Sequence, residues 1–293
     1  MNKRNEMKAL IDIHHPDIIG ITEVKPKKAR YDIQESELDL PGYDMYHTLD
    51  GNNRGMVLYV RSEMKPSPCD KLKTDFSEGI FVECEQDNET KLLVGLMYRS
   101  PSSSPDNTGR LNKLIQEISD LNNSHTLLMG DFNYPEINWT EERSEGGQTN
   151  PATLFLKATR DAYLIQHQRE PTRYRKGERE NVLDLVFTNR EDMVEEINTI
   201  AGLGKSDHLT LEINLNWTIP EPARTKRFNF QKTDENKLKE ALKRTDWEEE
   251  LANSTVEEAW EMIKQQISEA IIQSTPISQT SGKKGKDGWT RTP

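Results

Sequence analysis

Met129-Gly-Asp-Phe-Asn-Tyr-Pro-Glu-Ile-Asn-Trp139 is the stretch from which the rest of the chain can be read. Thr126, Leu127, Leu128 and Met129 form a short apolar run of the kind that builds a strand buried on both faces, and Gly130 ends it where no side chain fits. Asp131 and Asn133 then leave the strand end together. Open α/β sheets bind their ligands outside the carboxyl ends of strands, so an acid and an amide at this point predict a reaction centre. A capping turn, in which Asp and Asn bond nearby backbone N–H groups, accounts for the same residues equally well.

Working outward, Leu111, Leu114, Ile115, Ile118 and Leu121 form one apolar stripe of a helix that Asp106 or Asn107 can cap, and this helix feeds the Thr126–Gly130 strand. Before it, Phe81–Glu85 and Leu92–Tyr98 alternate as a hairpin that turns at Gln86–Lys91 and ends in Tyr98-Arg-Ser-Pro101. Earlier still come a helix through Met7, Leu10, Ile11 and His14 that Pro16 stops, a strand over Ile18–Thr22 with Glu23 at its end, and a strand over Gly55–Val60. Lys25 to Asp50 reads as an irregular excursion. After the central motif a charged loop over Glu141–Thr149, read as mobile, leads to a helix from Pro151 to Tyr163 that buries Leu154, Phe155, Ala158 and Ala162. The alternation of strand, helix and strand is that of an α/β protein.

The chain has 293 residues, enough for one domain of about 200 residues with an appendage. Its net charge is −11, from 39 basic and 50 acidic residues, and the segment beyond Trp217 is balanced, so the acidic excess lies in the part with the motif. An acidic surface opposes phosphate-backbone binding unless cations or a local basic rim offset it, and it favours bound Mg²⁺. The only cysteines, Cys69 and Cys84, form no CxxC pair, so neither a zinc site nor a disulfide scaffold is indicated and a reducing compartment is expected. No uncharged apolar run approaches the ~18 residues of a membrane span. The expectation is a soluble, intracellular protein with no membrane partner.

Arg169, Arg173, Arg175, Lys176 and Arg179, with Tyr174 among them, make the one dense basic patch of the acidic part. A charge run is usually a solvated loop. This one runs directly into Val182-Leu-Asp-Leu-Val-Phe187, a strand with a single acid, Asp184, between apolar neighbours. A buried acid needs a partner, and Asp207-His208, at the start of the strand Leu209–Leu215, can supply one. An Asp–His pair there makes a general acid/base or phosphate-binding histidine credible, where a lone His would be an ordinary loop residue. Tyr98 alone reads as a packing residue at a strand end, and Glu23 as an exposed acid.

Taken in order, Ile21-Thr-Glu23, Tyr98-Arg-Ser-Pro101, Gly130-Asp-Phe-Asn133, Leu183-Asp-Leu-Val-Phe187 and Ser206-Asp-His208 resemble the endonuclease/exonuclease/phosphatase superfamily. Within it, Tyr98-Arg-Ser-Pro101, Phe132–Trp139 and Leu183–Asn189 look most like the apurinic-type endonuclease of non-LTR retrotransposons of the Jockey kind. The resemblance covers about Asn2 to Trp217 and implies an α/β (α+β) fold of two packed sheets flanked by helices in four layers, with the site at the sheet ends. It further implies Mg²⁺, with Mn²⁺ as a substitute, bound by Glu23 and Asp207. Asp131 would activate or orient the attacking water, Asn133 would position Asp131 and the phosphate, and Tyr98 would contact the phosphate or steady the leaving oxygen. Asp184 would orient His208, which donates to the phosphate, and Arg99, Arg173, Arg175, Lys176 and Arg179 would contact DNA. A reverse transcriptase module is the implied partner, and the nucleus the implied place of action.

The family has a strand before its first helix that ends in a metal-holding Asn, and Met1-Asn-Lys-Arg4 matches the turn after that strand, so an N-terminally truncated endonuclease is expected. The implied division is an endonuclease domain over 1–217, a linker over 218–234, a helical region over 235–274 and a disordered tail over 275–293. In the helical region, a pattern over Glu235–Leu251 precedes one over Thr255–Ser274 whose stripe of Val256, Ala259, Trp260, Ile263, Ile267, Ala270 and Ile271 is expected to pack. The readings that remain open are a DNA-nicking enzyme, a related phosphodiesterase or phosphatase, and an inactive fragment that keeps the fold and acts at most through binding.

Overall fold

Alternating apolar residues along the central strands face two different cores, and this sets the layers. In a computed structural model, the described residues are 3–25, 33–49, 54–85, 90–121, 123–177, 179–217, 227–228, 232–245, 247, 251 and 255–278. Contacts divide the chain into two units, Met1–Pro220 and Glu221–Pro293. In chain order the first unit contains α1 (Arg4–His14), β1 (Ile18–Thr22), β2 (Tyr43–His47), β3 (Met56–Arg61), β4 (Ser67–Pro68), β5 (Gly79–Glu85), β6 (Lys91–Tyr98) and α2 (Pro105–Asp120). It continues with β7 (His125–Asp131), β8 (Ile137–Asn138), β9 (Arg143–Ser144), α3 (Pro151–Asp161), β10 (Ile165–Gln166), β11 (Asp184–Thr188), β12 (Val194–Ile200) and β13 (Thr210–Leu215).

Six strands form one sheet in the order β10-β11-β7-β6-β5-β4, in which β6 and β7 are parallel and joined through α2. One face of this sheet, with Leu93, Met97, Leu128, Leu185 and Phe187, packs on Leu111, Leu114, Ile115 and Ile118 of α2 and on Ala152, Phe155 and Leu156 of α3. The opposite face, with Val82, Val94, Leu96, Leu127 and Val186, packs on Met56, Leu58 and Val60 of β3. β3 is the middle of a three-stranded sheet, β1-β3-β2, and the β12-β13 pair joins the same inter-sheet core through Val194, Ile197, Leu211 and Ile213. On the far side, Val57 and Tyr59 pack with Ile19, Ile21 and Ile11 of α1. The result is helix, sheet, sheet and helices, the expected four-layer sandwich.

Several details differ from the sequence reading. The cap of α2 is Ser104, whose side chain accepts from Asn107 N–H, and Pro105 takes the first helical position where a missing N–H costs nothing. The stretch read as irregular contains β2, because Tyr43 and Met45 alternate with polar residues in register against β3. The loop read as mobile holds β9, paired with β8. In α3, Leu154 is exposed rather than buried. Residues 86–89 of the Gln86–Lys91 turn, and Asn2, lie outside the described residues.

The second unit pairs β14 (Arg227–Phe228) with β15 (Ile277–Ser278) around α4 (Glu235–Lys243) and α5 (Val256–Ser274). Thr255 and Glu258 close a reciprocal capping box on α5. Its inward side is marked by buried Ala270 and Ser274, while Val256, Trp260 and Ile267 of the expected stripe are exposed. The pattern over Glu235–Leu251 is helical to Lys243, and residues 246, 248–250, most of the expected linker and most of the expected tail lie outside the described residues.

At the end of β7, Gly130 has φ +143°, and a Cβ there would sit 1.8 Å from the Met97 carbonyl oxygen of the adjacent strand. Gly130→Ala is therefore expected to cost about 3 kcal/mol or more, through clash and backbone strain. Urea unfolding monitored by circular dichroism measures the loss.

Candidate active site

Because β6, β7 and β11 are neighbours, their register decides which side chains meet at the sheet end. Tyr98 stands opposite Asp131 in the parallel pair, and Asp131 opposite Asp184 in the antiparallel pair. All three continue the inner-face alternation of Leu96, Met129 and Val186, so they form one row at the mouth of the gap between the sheets. The turn after β7 is held tightly. Asn133 adopts φ +49°, which asparagine tolerates, and its N–H donates to Asp131 Oδ1 at 3.2 Å. Its carboxamide donates to Arg99 O at 2.8 Å, and Arg99 N–H donates to Asp131 O at 2.8 Å.

His208 closes the row from the other side, its Nδ1 lying 2.8 Å from Asp184 Oδ2. Ligand atoms of Asp131, Asp184 and His208 all lie within 4.8 Å of one another. Glu23 arrives from β1 with φ +54°, and its Oε1 accepts from the Tyr98 hydroxyl at 2.8 Å. Glu23 also forms a two-pronged ion pair with Arg54, 3.0 Å from Nη1 to Oε1 and 2.9 Å from Nη2 to Oε2. Asp207 is exposed, and its Oδ2 accepts from Arg173 Nε at 3.2 Å. A cleft of about 670 Å³ is lined by Glu23, Asp131, Asn133, Asp207 and His208, with Arg99, Arg173 and Arg175 among the other residues on its walls.

The electrostatics follow from this crowding. Burial, and then the charge of Asp184, push the Asp131 carboxyl well above the usual carboxylate range. Burial alone would lower the His208 imidazole, but its hydrogen bond to Asp184 and the charges of Asp184, Asp131 and Asp207 outweigh it and raise the value to about 9. Burial and the bond to Glu23 raise the Tyr98 phenol. Burial works against ionisation of Asp207 too, yet the Arg173 hydrogen bond holds it below its ordinary value. The carboxylates around the cleft fit a hard divalent cation, which prefers oxygen ligands, and a cation there would relieve the repulsion between Asp131 and Asp184.

Of the seven residues expected to act on substrate or metal, Glu23, Asp131, Asn133, Asp207 and His208 line one cleft, and Tyr98 and Asp184 are hydrogen-bonded to Glu23 and His208 behind it. Arg99, expected on DNA, is turned inward: it is 7% exposed, its guanidinium lies 4.1 Å above the Tyr134 ring, and Nη1 donates to Asn133 O at 2.9 Å. Arg173 spends its side chain on Asp207, while its backbone bridges to Asn181 and His208. Arg175 lines the cleft, and Lys176 and Arg179 stand exposed on the hairpin that the Arg173–Asn181 bridge closes. Arg169 reaches the Trp139 carbonyl instead. Sequence reading missed Arg54 and Tyr134. Tyr134 lay inside the quoted motif, but its stacking partner is revealed only by the pairing of β6 with β7.

Residues 92–212 match the family described as endonuclease-reverse transcriptase. No curated protein sequence matches the chain. The endonuclease domain of TRAS1, a telomere-specific non-LTR retrotransposon, shares the fold with a TM-score of 0.55 at 13% identity, over 73% of this chain and 91% of that one. A 3′ phosphatase from Neisseria, NExo, solved with a product DNA hairpin, shares it with a TM-score of 0.54 at 11% identity, over 74% and 95%.

In chelator, the His208 imidazole is expected to titrate near 9 by NMR and to fall toward its ordinary 6.5 in Asp184→Asn. Since the folded value is the raised one, pairing stabilises the fold fully below about pH 6.5 and the gain is lost as pH rises through about 9. The urea-unfolding gap between the wild-type chain and Asp184→Asn should accordingly narrow between those limits.

Proposed function

We propose that this chain, a member of the endonuclease/exonuclease/phosphatase superfamily, is a divalent-cation-dependent phosphodiesterase that nicks DNA as the endonuclease part of a retrotransposon-derived protein of the non-LTR, Jockey-like kind. The observation that carries this reading is the single row of Tyr98, Asp131 and Asp184, with His208 bonded to Asp184 and Glu23 bonded to Tyr98. A phosphodiester is anionic, and its hydrolysis needs a base for water together with positive charge and hydrogen-bond donors against the charge that develops.

Glu23 and Asp207 would hold Mg²⁺, with Mn²⁺ able to replace it, and the bound ion would supply positive charge against the phosphoryl oxygens. Asp131 takes the proton of the attacking water, and Asn133 fixes the Asp131 carboxylate through its backbone N–H. His208, with Nδ1 turned to Asp184, offers Nε2–H to a phosphate oxygen. Tyr98 directs its hydroxyl into the same cluster and steadies the leaving oxygen. Arg175, Lys176 and Arg179 meet the DNA backbone from the hairpin, which is hydrogen-bonded to the segment carrying Asp207 and His208 through Tyr174 N–H and Asp207 O at 2.8 Å. In this reading the first unit is the catalytic domain, the second leads toward a reverse transcriptase module, and the nucleus is the place of action.

Supercoiled-plasmid nicking with Mg²⁺, and with chelator, tests the reading. Nicking is expected with the cation only, and Asp131→Ala and His208→Ala should each lower it by roughly 10²–10⁴-fold. Release of terminal phosphate without nicking would favour a phosphatase, and silence in both assays would favour a fold kept without catalysis.

A further inference from the structure

The Glu23 carboxylate, taken above as a cation ligand, is already engaged by a cation of the protein's own. Arg54 donates from Nη1 to Oε1 at 3.0 Å and pairs from Nη2 with Oε2 at 2.9 Å, while Tyr98 donates to Oε1 at 2.8 Å. An ionised carboxylate offers about four lone-pair directions, so this arrangement uses most of them. The arginine is also set in place from behind. Its Nε donates to Lys25 O at 3.0 Å, Lys25 N–H donates to Arg54 O at 2.7 Å, and Val24 N–H donates to Gly55 O at 3.2 Å. These bonds extend the β1–β3 ladder, whose last pair is Thr22 with Met56, across the segments that carry Glu23 and Arg54. The meeting is therefore built into the sheet register.

We propose that Arg54 is a built-in competitor for the divalent cation: its guanidinium occupies the Glu23 carboxylate until the ion displaces it, and so weakens the ion's affinity at that acid. This rests on the reading of Glu23 as a cation ligand. A divalent ion approaching Glu23 must either take an oxygen away from the guanidinium or share the carboxylate with a like charge, and both oppose binding. The strength of the pair decides whether it blocks the site or tunes it. The Arg54 side chain is 25% exposed and that of Glu23 38%, so solvent screens the pair and it yields to a divalent ion. A pair of that kind corresponds to an affinity penalty of about fivefold. The opposing role, a clamp that orders Glu23 for the ion, carries the opposite sign, because loss of the guanidinium would then weaken binding.

Mn²⁺ binding to the full chain, followed by the electron-spin signal of free Mn²⁺ and independent of any nicking activity, separates these roles. Arg54→Gln is expected to bind Mn²⁺ about fivefold tighter than the wild-type chain, with Arg54→Lys, which keeps the charge without the fork, in between. Glu23→Gln should weaken Mn²⁺ binding and abolish the difference between the Arg54 variants. Unchanged or weaker binding in a folded Arg54→Gln, with Glu23→Gln still weakened, overturns the competitor while leaving the cation reading intact. If Arg54→Gln fails to fold, the Arg54→Lys comparison decides in the same way. Binding that is indifferent to Glu23→Gln overturns the cation reading, and the competitor with it.

Discussion

The close approach of β6 and β7 is the constraint on which the site depends. Gly130 lies where even one added carbon would meet the Met97 carbonyl, at 1.8 Å. Only with this contact do the two parallel strands run in register to their ends, placing Tyr98 beside Asp131. The antiparallel pairing of β11 then adds Asp184 to the row without any further device. A second glycine works across the sandwich: at Gly20 a Cβ would lie 2.8 Å from Leu96 Cδ1 and 2.9 Å from Met129 Cε, so β1 can settle close upon the large sheet. That brings Glu23, at the end of β1, to the Tyr98 hydroxyl. Two positions without side chains thus set where four chemically active ones, Tyr98, Asp131, Asp184 and Glu23, meet.

Packing alone would not keep so many acids together. Asp131 is 4% exposed and faces Asp184, an arrangement in which one carboxyl resists ionisation. His208 offsets part of that charge through its bond to Asp184 and is itself raised by the acids. The three groups therefore depend on one another's protonation, and in the proposed function a nearby divalent charge would shift all of them toward the state in which Asp131 is a base. In that reading, basicity at Asp131 and cation binding are two aspects of one electrostatic problem.

The strands and helices that make the sandwich were readable because their apolar residues repeat at two or at three and four positions without interruption, as in Leu92–Tyr98 and the α2 stripe. Tyr43–His47 escaped because its alternation mixes a histidine and an aspartate with aromatic residues, and only pairing with β3 makes it a strand. The row of acids was readable in identity but not in arrangement: Asp184 was flagged as a lone acid in an apolar strand, while its place opposite Asp131 depends on register. Arg54 had no local signal for its partner, since the acid nearest it in sequence is Asp50, whereas the carboxylate it pairs with, Glu23, lies 31 positions away across a strand pair. The burial of Arg99 was illegible for a related reason. An arginine after a strand end looks solvent-facing, and here an aromatic ring and a carbonyl oxygen draw it inward.

These inward arginines bear on how an acidic chain would act on an anionic polymer, as the proposed function requires. With a net charge of −11 the protein opposes a nucleic acid at long range, and exposed charge more than about 10 Å away is screened at moderate salt. What counts is charge within the cleft and on its rim. There the protein uses Arg54, Arg99 and Arg173 on its own carboxylates and carbonyls. The positive side chains of the Arg173–Asn181 hairpin, Lys176 and Arg179 among them, stand at one side of a cleft whose floor is acidic. A phosphate drawn to that hairpin meets repulsion at the floor unless a cation neutralises it. If the proposed function holds, substrate and cation would bind with positive coupling, because each would relieve the charge that opposes the other.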